Sequence, residues 1–189
     1  YKRQDVGNRL NGSNPDGIVS MVENNTIDLG VVEAPVANKN LVVETCRMDQ
    51  LVLVVQPEHE LATIDEFDLH RLKDYPYICR EEGSGTREVL RDCMQQIGLD
   101  QAELNLVMEL GSPEAIKGAV ESGMGISILS RSTVSKELRL GTLVAVNLNP
   151  LVERPFSFVH QKQKFRLRAM EELLQFAREY CEAHQNIEL

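Results

Sequence analysis

The alternation of short apolar runs with amphipathic helical stretches is the feature that most constrains this chain. IDLGVVEAP, LVLVV, YPYICR, LNLVMEL and MGISIL read as buried strands, LVLVV most strongly. Between them, TREVLRDCMQQIG and SPEAIKGAVESG read as amphipathic helices, the first closing at Gly98 in the expected C-terminal position. A strand that returns parallel to its neighbour needs a helical crossover, so this order calls for a parallel or mixed α/β sheet. The flanking segments fit the same scheme. DVGNRL reads as a strand, NGSNPDG as a turn, and IVSMVENN as a short helix with Ile18, Met21 and Val22 at helical spacing. LVVETCRMDQLVLVV holds two apolar runs, DEFDLHRL and TVSKELRLG are short helices, and GTLVAVNL and FSFVHQK are strands. A long helix from Arg166 to His184 closes the chain, its stripe of Leu167, Met170, Leu173, Leu174 and Ala177 directed at the sheet. No repeat or flexible linker appears, so two lobes, if present, share strands rather than a tether.

Charge and residue usage exclude several functions. A net charge of −9 over 189 residues argues against gripping a phosphate backbone, which needs a basic face. No run of about 18 apolar residues exists to span a membrane, and no signal pattern precedes the first strand. Cys46, Cys79, Cys93 and Cys181 are scattered without C-x-x-C spacing, which suits reduced thiols in a cytoplasm better than a disulfide framework. His59, His70, His160 and His184 are equally dispersed, so neither a metal site nor a cofactor is expected. No nucleophile stands beside a base in the pattern catalysis needs.

Against this acidic background, REEGSGTREVL (Arg80 to Leu90) stands out. Ser84 is placed to cap a helix, and Gly83 and Gly85 let the backbone bend close to a ligand. A helix start offers unpaired N–H donors and about half a positive charge, enough to hold a small anion. Thr86 adds a hydroxyl, and Arg80 and Arg87 stand near enough in sequence to add charge-assisted hydrogen bonds. The plainer reading is a well-capped helix with nothing bound. A second start, LGSPEAI, has Ser112 as cap, Pro113 in the first helical position and Glu114 suited to the dipole, all ordinary helix grammar. Both starts follow a strand, so both should lie at the carboxyl edge of one sheet, where ligands of open α/β sheets sit. Glu33 and Ala34 end a strand before Pro35 and could face the same place, or simply leave the sheet.

Taken in order, IDLGVVEAP, LVLVVQPEHELA, REEGSGTRE, ELGSPEAIKGAVESGMGISILSR and LGTLVAV resemble the effector-binding domain of LysR-type transcriptional regulators over essentially the whole chain. The resemblance implies a two-lobed α/β fold like that of type 2 periplasmic binding proteins, with mixed sheets, two crossover segments and a small ligand between the lobes. One lobe would comprise about 1–45 and 136–189, the other about 50–131. The family's strand and helix ahead of the point matching Tyr1, and its DNA-binding winged helix-turn-helix, are not in this sequence. The implied function is sensing of a small anionic effector in the cytoplasm by a homodimer or homotetramer that meets DNA only through that other domain and has no membrane role. Arg80, Ser84, Gly85, Thr86, Ser112, Pro113, Glu33 and Ala34 are the expected effector contacts. The rival reading is a solute-binding protein of a transport system with the same fold.

Overall fold

The computed structural model describes residues 12–162 and 168–183. DVGNRL therefore lies outside the described residues, as do Leu167 and the ends of the expected last helix. The chain divides into two compact units, Tyr1–Arg47 with Phe156–Ile187 and a second built on Met48–Pro155.

In the first unit, α1 (Pro15–Glu23) starts where the Asn14 side chain accepts the Gly17 N–H at 2.9 Å, with Pro15 in the first turn. Its Ile18 and Val22 pack with Val32, Leu41 and Val159. The short strand β1 (Gly30–Val32) runs antiparallel to β7 (Val144–Gln161), Val31 opposite Phe158. A Cβ on Gly30 would come within 2.5 Å of the Ile18 Cγ2, so glycine lets α1 approach the strand. The last helix, α5 (Arg168–Ala183), also belongs here. Leu174 is its buried contact, while Leu173, expected on the same stripe, is 52% exposed. The inward face is instead Met170, Leu174, Ala177 and Cys181, spaced by four, three and four residues.

That face corrects the reading of the cysteines. Cys181 is bonded to Cys46 of β2 (Leu41–Val55), their Cα atoms 6.2 Å apart across 135 residues of sequence. Packing α5 against the strand brings together two thiols that no local spacing connects. Cys79 and Cys93 are free, Cys79 buried in the core and Cys93 packed against it, as small core residues should be.

The second unit is a three-layer α/β/α sandwich. β2 runs antiparallel to β6 (Ile126–Ser130), Leu51 opposite Ser130. Beyond β6, β4 (Tyr77–Arg80) and β5 (Leu106–Leu110) continue parallel, Arg80 opposite Leu110. One face packs Leu51, Leu53 and Val55 under Leu90 and Met94 of α2 (Gly85–Gln96). The other packs Val52 and Val54 under Ile116 and Val120 of α3 (Pro113–Glu121), with Leu138 of α4 (Ser135–Leu140) beside them. Alternation along β2 thus supplies both cores. DEFDLHRL forms a strand, β3 (Glu66–Asp68), paired parallel with β7, and then enters a 3-10 helix, Leu69–Asp74, so the expected short helix is present but starts later and is not α-helical. The two apolar runs of LVVETCRMDQLVLVV are one strand, and GTLVAVNL and FSFVHQK are the two ends of β7. Both long strands have residues in each unit. α4 and the first part of β7 pack within the second unit.

Candidate functional site

β4 leads through Gly83, whose φ of 79° suits glycine, into the start of α2. Ser84 is extended and its Oγ accepts the Arg87 N–H at 3.2 Å, which makes it the cap. Its carbonyl takes the Glu88 N–H at 3.1 Å. The N–H groups of Gly85 and Thr86 have no hydrogen-bond partner among the described residues. Ser84 and Thr86 are 5% and 4% exposed, so the two donors stand in a region shielded from bulk water, at the positive end of a 12-residue helix.

The flanking arginines do not aim at those donors. Arg80 turns back onto Glu81, with Nε and Nη2 at 2.7 and 2.9 Å from its two oxygens. These bonds, against the opposing effect of burial, hold the Glu81 carboxyl below the usual carboxylate range. Arg87 spans from the Arg80 carbonyl (3.0 Å) to Glu109 (2.6 Å). Each guanidinium already has a carboxylate.

The cation at the α2 start comes from β7. Arg154, 4% exposed, donates from Nη1 to the Thr86 Oγ1 at 3.1 Å and from Nε to the Asp49 Oδ2 at 2.9 Å. The other Asp49 oxygen accepts from Ser130 (2.7 Å) and Ser132 (3.3 Å). A buried ion pair is tolerable only when hydrogen bonds satisfy its remaining valences, and these hydroxyls help do so. Thr86 and Arg154 are 68 positions apart, so no local motif connects them. One signal was available: Val146, Leu148, Val152 and Arg154 share an inward-facing alternation along β7, which places the arginine on the core side.

The start of α3 lies at the same carboxyl edge, because Arg80 and Leu110 pair at the ends of adjacent parallel strands. It stands on the opposite face and is already filled. Ser112 accepts the Ala115 N–H at 3.4 Å and donates to Glu114 at 3.2 Å. A backbone N–H of the first turn, and then Ser112, hold the Glu114 carboxyl below its ordinary range. Pro113 takes the first helical position and contributes no donor. Glu33 and Ala34 form the bend after β1 in the first unit, Glu33 exposed and Ala34 buried. Among the described residues, no group of histidine, cysteine and carboxylate side chains could hold a metal ion.

The sequence model of the LysR substrate binding domain matches residues 3–182. The chain belongs to this family. A relative of this LysR domain is the HTH-type transcriptional regulator YeiE of Escherichia coli K12, 36% identical over 175 residues that make up 92% of this chain and 57% of YeiE. The RuBisCO operon transcriptional regulator of Allochromatium vinosum is 32% identical over 79% of this chain and 48% of its own length. The LysR domain thus spans about half the length of the curated relatives it matches, and those relatives are transcriptional regulators rather than enzymes. Among solved structures, the regulatory domain of Synechocystis CcmR, in complex with 2-PG, superposes with a TM-score of 0.81 at 27% identity, covering 93% of this chain and 82% of that one. The effector-binding domain of QuiR, in complex with shikimate, superposes at 0.76 with 24% identity, over 91% of this chain and 80% of that one. The fold is that of LysR regulatory domains, the type 2 periplasmic-binding-protein-like α/β fold.

Proposed function

We propose that this LysR domain is the sensing module of a transcriptional regulator and that it takes a small anionic effector at the start of α2. The observation that carries the reading is the pair of N–H groups at Gly85 and Thr86, without a partner among the described residues, beside a hydroxyl held by the buried Arg154. Two amide donors, a hydroxyl and a helix dipole form an oxyanion cradle made largely of neutral groups, which suits a protein of net charge −9. The bound CcmR and QuiR domains support the class of ligand, since 2-PG and shikimate are both small anions. Ser84, Gly85 and Thr86 supply the contacts. Ser112 and Pro113 have a structural part at α3, and Arg80 orders the turn through Glu81.

In this reading the protein works in the cytoplasm as a homo-oligomer, its DNA contact lies outside this chain, and effector binding changes the oligomer's geometry. The edge strand β5 supports pairing of copies, with Leu106 and Val107 48% and 46% exposed. The alternative, a solute-binding protein of a transport system, shares the fold but not the relatives, which are regulators. The test is a thermal-shift screen with 2-PG, shikimate, phosphate and sulfate. An anion that binds the native state at 100 times its Kd stabilises it by about 2.7 kcal/mol. A panel that leaves the melting temperature unmoved at millimolar concentration counts against the site.

A further inference from the structure

Helix α5 turns several large apolar side chains outward. Among its described side chains Leu174 alone is fully buried, while Leu173, Phe176 and Tyr180 are 52%, 63% and 55% exposed. Most of a helix's stability in a protein comes from its tertiary contacts, and several tie α5 to the strand β2. Two of these links repeat one geometry. Glu44 and Cys46 stand two residues apart on β2 and so face the same side, and Arg178 and Cys181 stand three apart on one face of α5. Arg178 pairs with Glu44, and Cys181 is bonded to Cys46. Neither cysteine is fully buried. The covalent link is the strongest of these ties, and its two residues are only partly screened from solvent.

We propose that Cys46 and Cys181 form a reversible thiol–disulfide site, exchanging with low-molecular-weight thiols and disulfides of the glutathione type, that sets whether α5 is locked to β2. In the oxidising direction one cysteine thiolate attacks a sulfur of the oxidised small molecule. A mixed disulfide forms, and the first small thiolate leaves and takes up a proton. The second cysteine thiolate then attacks the protein sulfur of that mixed disulfide and expels the second small thiolate. Two cysteine thiols are oxidised by two electrons, and one small disulfide is reduced to two thiols. In the reducing direction the same steps run backward and leave the helix held by non-covalent contacts alone, Leu174 and the Arg178–Glu44 pair among them. A purely structural cross-link would resist the glutathione pool, whereas loss of this one removes the covalent tie between α5 and β2. The disulfide lies in the first unit and the anion cradle in the second, so failure of either reading leaves the other standing.

The experiment equilibrates the whole chain in mixtures running from oxidised to reduced glutathione. Alkylation and intact mass report the oxidised fraction, and hydrogen exchange reports α5. The pair should convert fully between its two states within that range. In the reduced form the α5 amides should exchange at least tenfold faster, while the β6 amides change less than twofold. Cys181→Ser should match the reduced form in every mixture. A disulfide that persists in reduced glutathione alone, one that never forms, or α5 exchange that is equal in the two states would overturn the proposal. None of these three outcomes depends on a variant folding.

Discussion

Arg154 donates to the Thr86 hydroxyl across 3.1 Å, so a guanidinium from β7 reaches into the first turn of α2. The same guanidinium is held by Asp49, itself held by Ser130 and Ser132. The order of the α2 start therefore depends on residues from three strands and the loop after β6, and the consequences can be measured.

Thr86→Asp should separate stability from binding. The new carboxylate meets the Arg154 guanidinium and the positive end of α2, an arrangement worth about 0.3–1 kcal/mol in helix-dipole terms alone. The free protein should melt at the parental temperature or a few degrees higher. A ligand carboxylate or phosphate now meets a like charge in a shielded site, at a cost of several kcal/mol. Affinity for any anion found in the screen should fall by about a hundredfold or more in calorimetry. An unchanged affinity would reduce the turn to a cap.

Asp49→Ala removes the partner of a cation that is 4% exposed. Breaking a buried pair by deleting one side costs about 3–5 kcal/mol, because the other charge is left uncompensated. Asp49→Asn, which keeps an acceptor for Ser130, should lose less. Urea unfolding distinguishes the two, and a loss below about 1 kcal/mol for the alanine variant would show that Arg154 does not depend on Asp49.

The tie between β2 and α5 should weaken in acid. Burial raises the Glu44 pKa, but hydrogen bonds and charge from Arg178 and His160 outweigh it and bring the net value below the ordinary 4.5. A depressed folded-state pKa contributes stability that is fully present above about pH 4.5 and is lost as pH falls through the lower folded value. Melting temperatures between pH 3 and 6 should therefore drop more steeply for the parent than for Glu44→Gln. Parallel curves would exclude the linkage.

Gly125 precedes β6, and a Cβ there would come within 2.5 Å of the Pro76 carbonyl oxygen, a backbone atom that cannot swing aside. Gly125→Ala should destabilise the second unit by about 1–3 kcal/mol through overpacking. Gly118→Ala, where nothing lies within 4 Å of the new Cβ, should be neutral or slightly stabilising. Equal melting temperatures for the two variants would contradict this packing.

What could be read from the sequence was what repeats locally. Ser84 and Ser112 declared themselves as caps by their spacing to the first helical turn, and both cap their helices. LVLVV, YICR and ISIL declared buried strands because all of their residues but Arg80 are fully enclosed. What stayed hidden depends on distance in the chain. Arg154 meets Asp49 over 105 positions, and Cys46 meets Cys181 over 135, so neither partner predicts the other. The flanking arginines have partners that stayed hidden for a related reason. Proximity in sequence to the Gly-Ser-Gly turn did not show that Glu81 and Glu109 would claim Arg80 and Arg87 first. β2 looked like two runs because ETCRMDQ is polar, yet strand pairing continues through it while its side chains meet polar partners such as Arg178, Ser130 and Arg154.

The amides of the α2 start are the most direct witnesses. With the domain isotopically labelled, 2-PG, shikimate, phosphate and sulfate are titrated in turn while the Gly85, Thr86 and Ala115 N–H resonances are followed. If the α2 start is the cradle, at least one anion shifts Gly85 and Thr86 saturably and leaves Ala115, already bonded to Ser112, nearly unmoved. The same anion added to Thr86→Asp produces no saturable shift. Gly85 and Thr86 resonances that ignore all four anions, or that respond identically in the parent and the variant, would contradict the site.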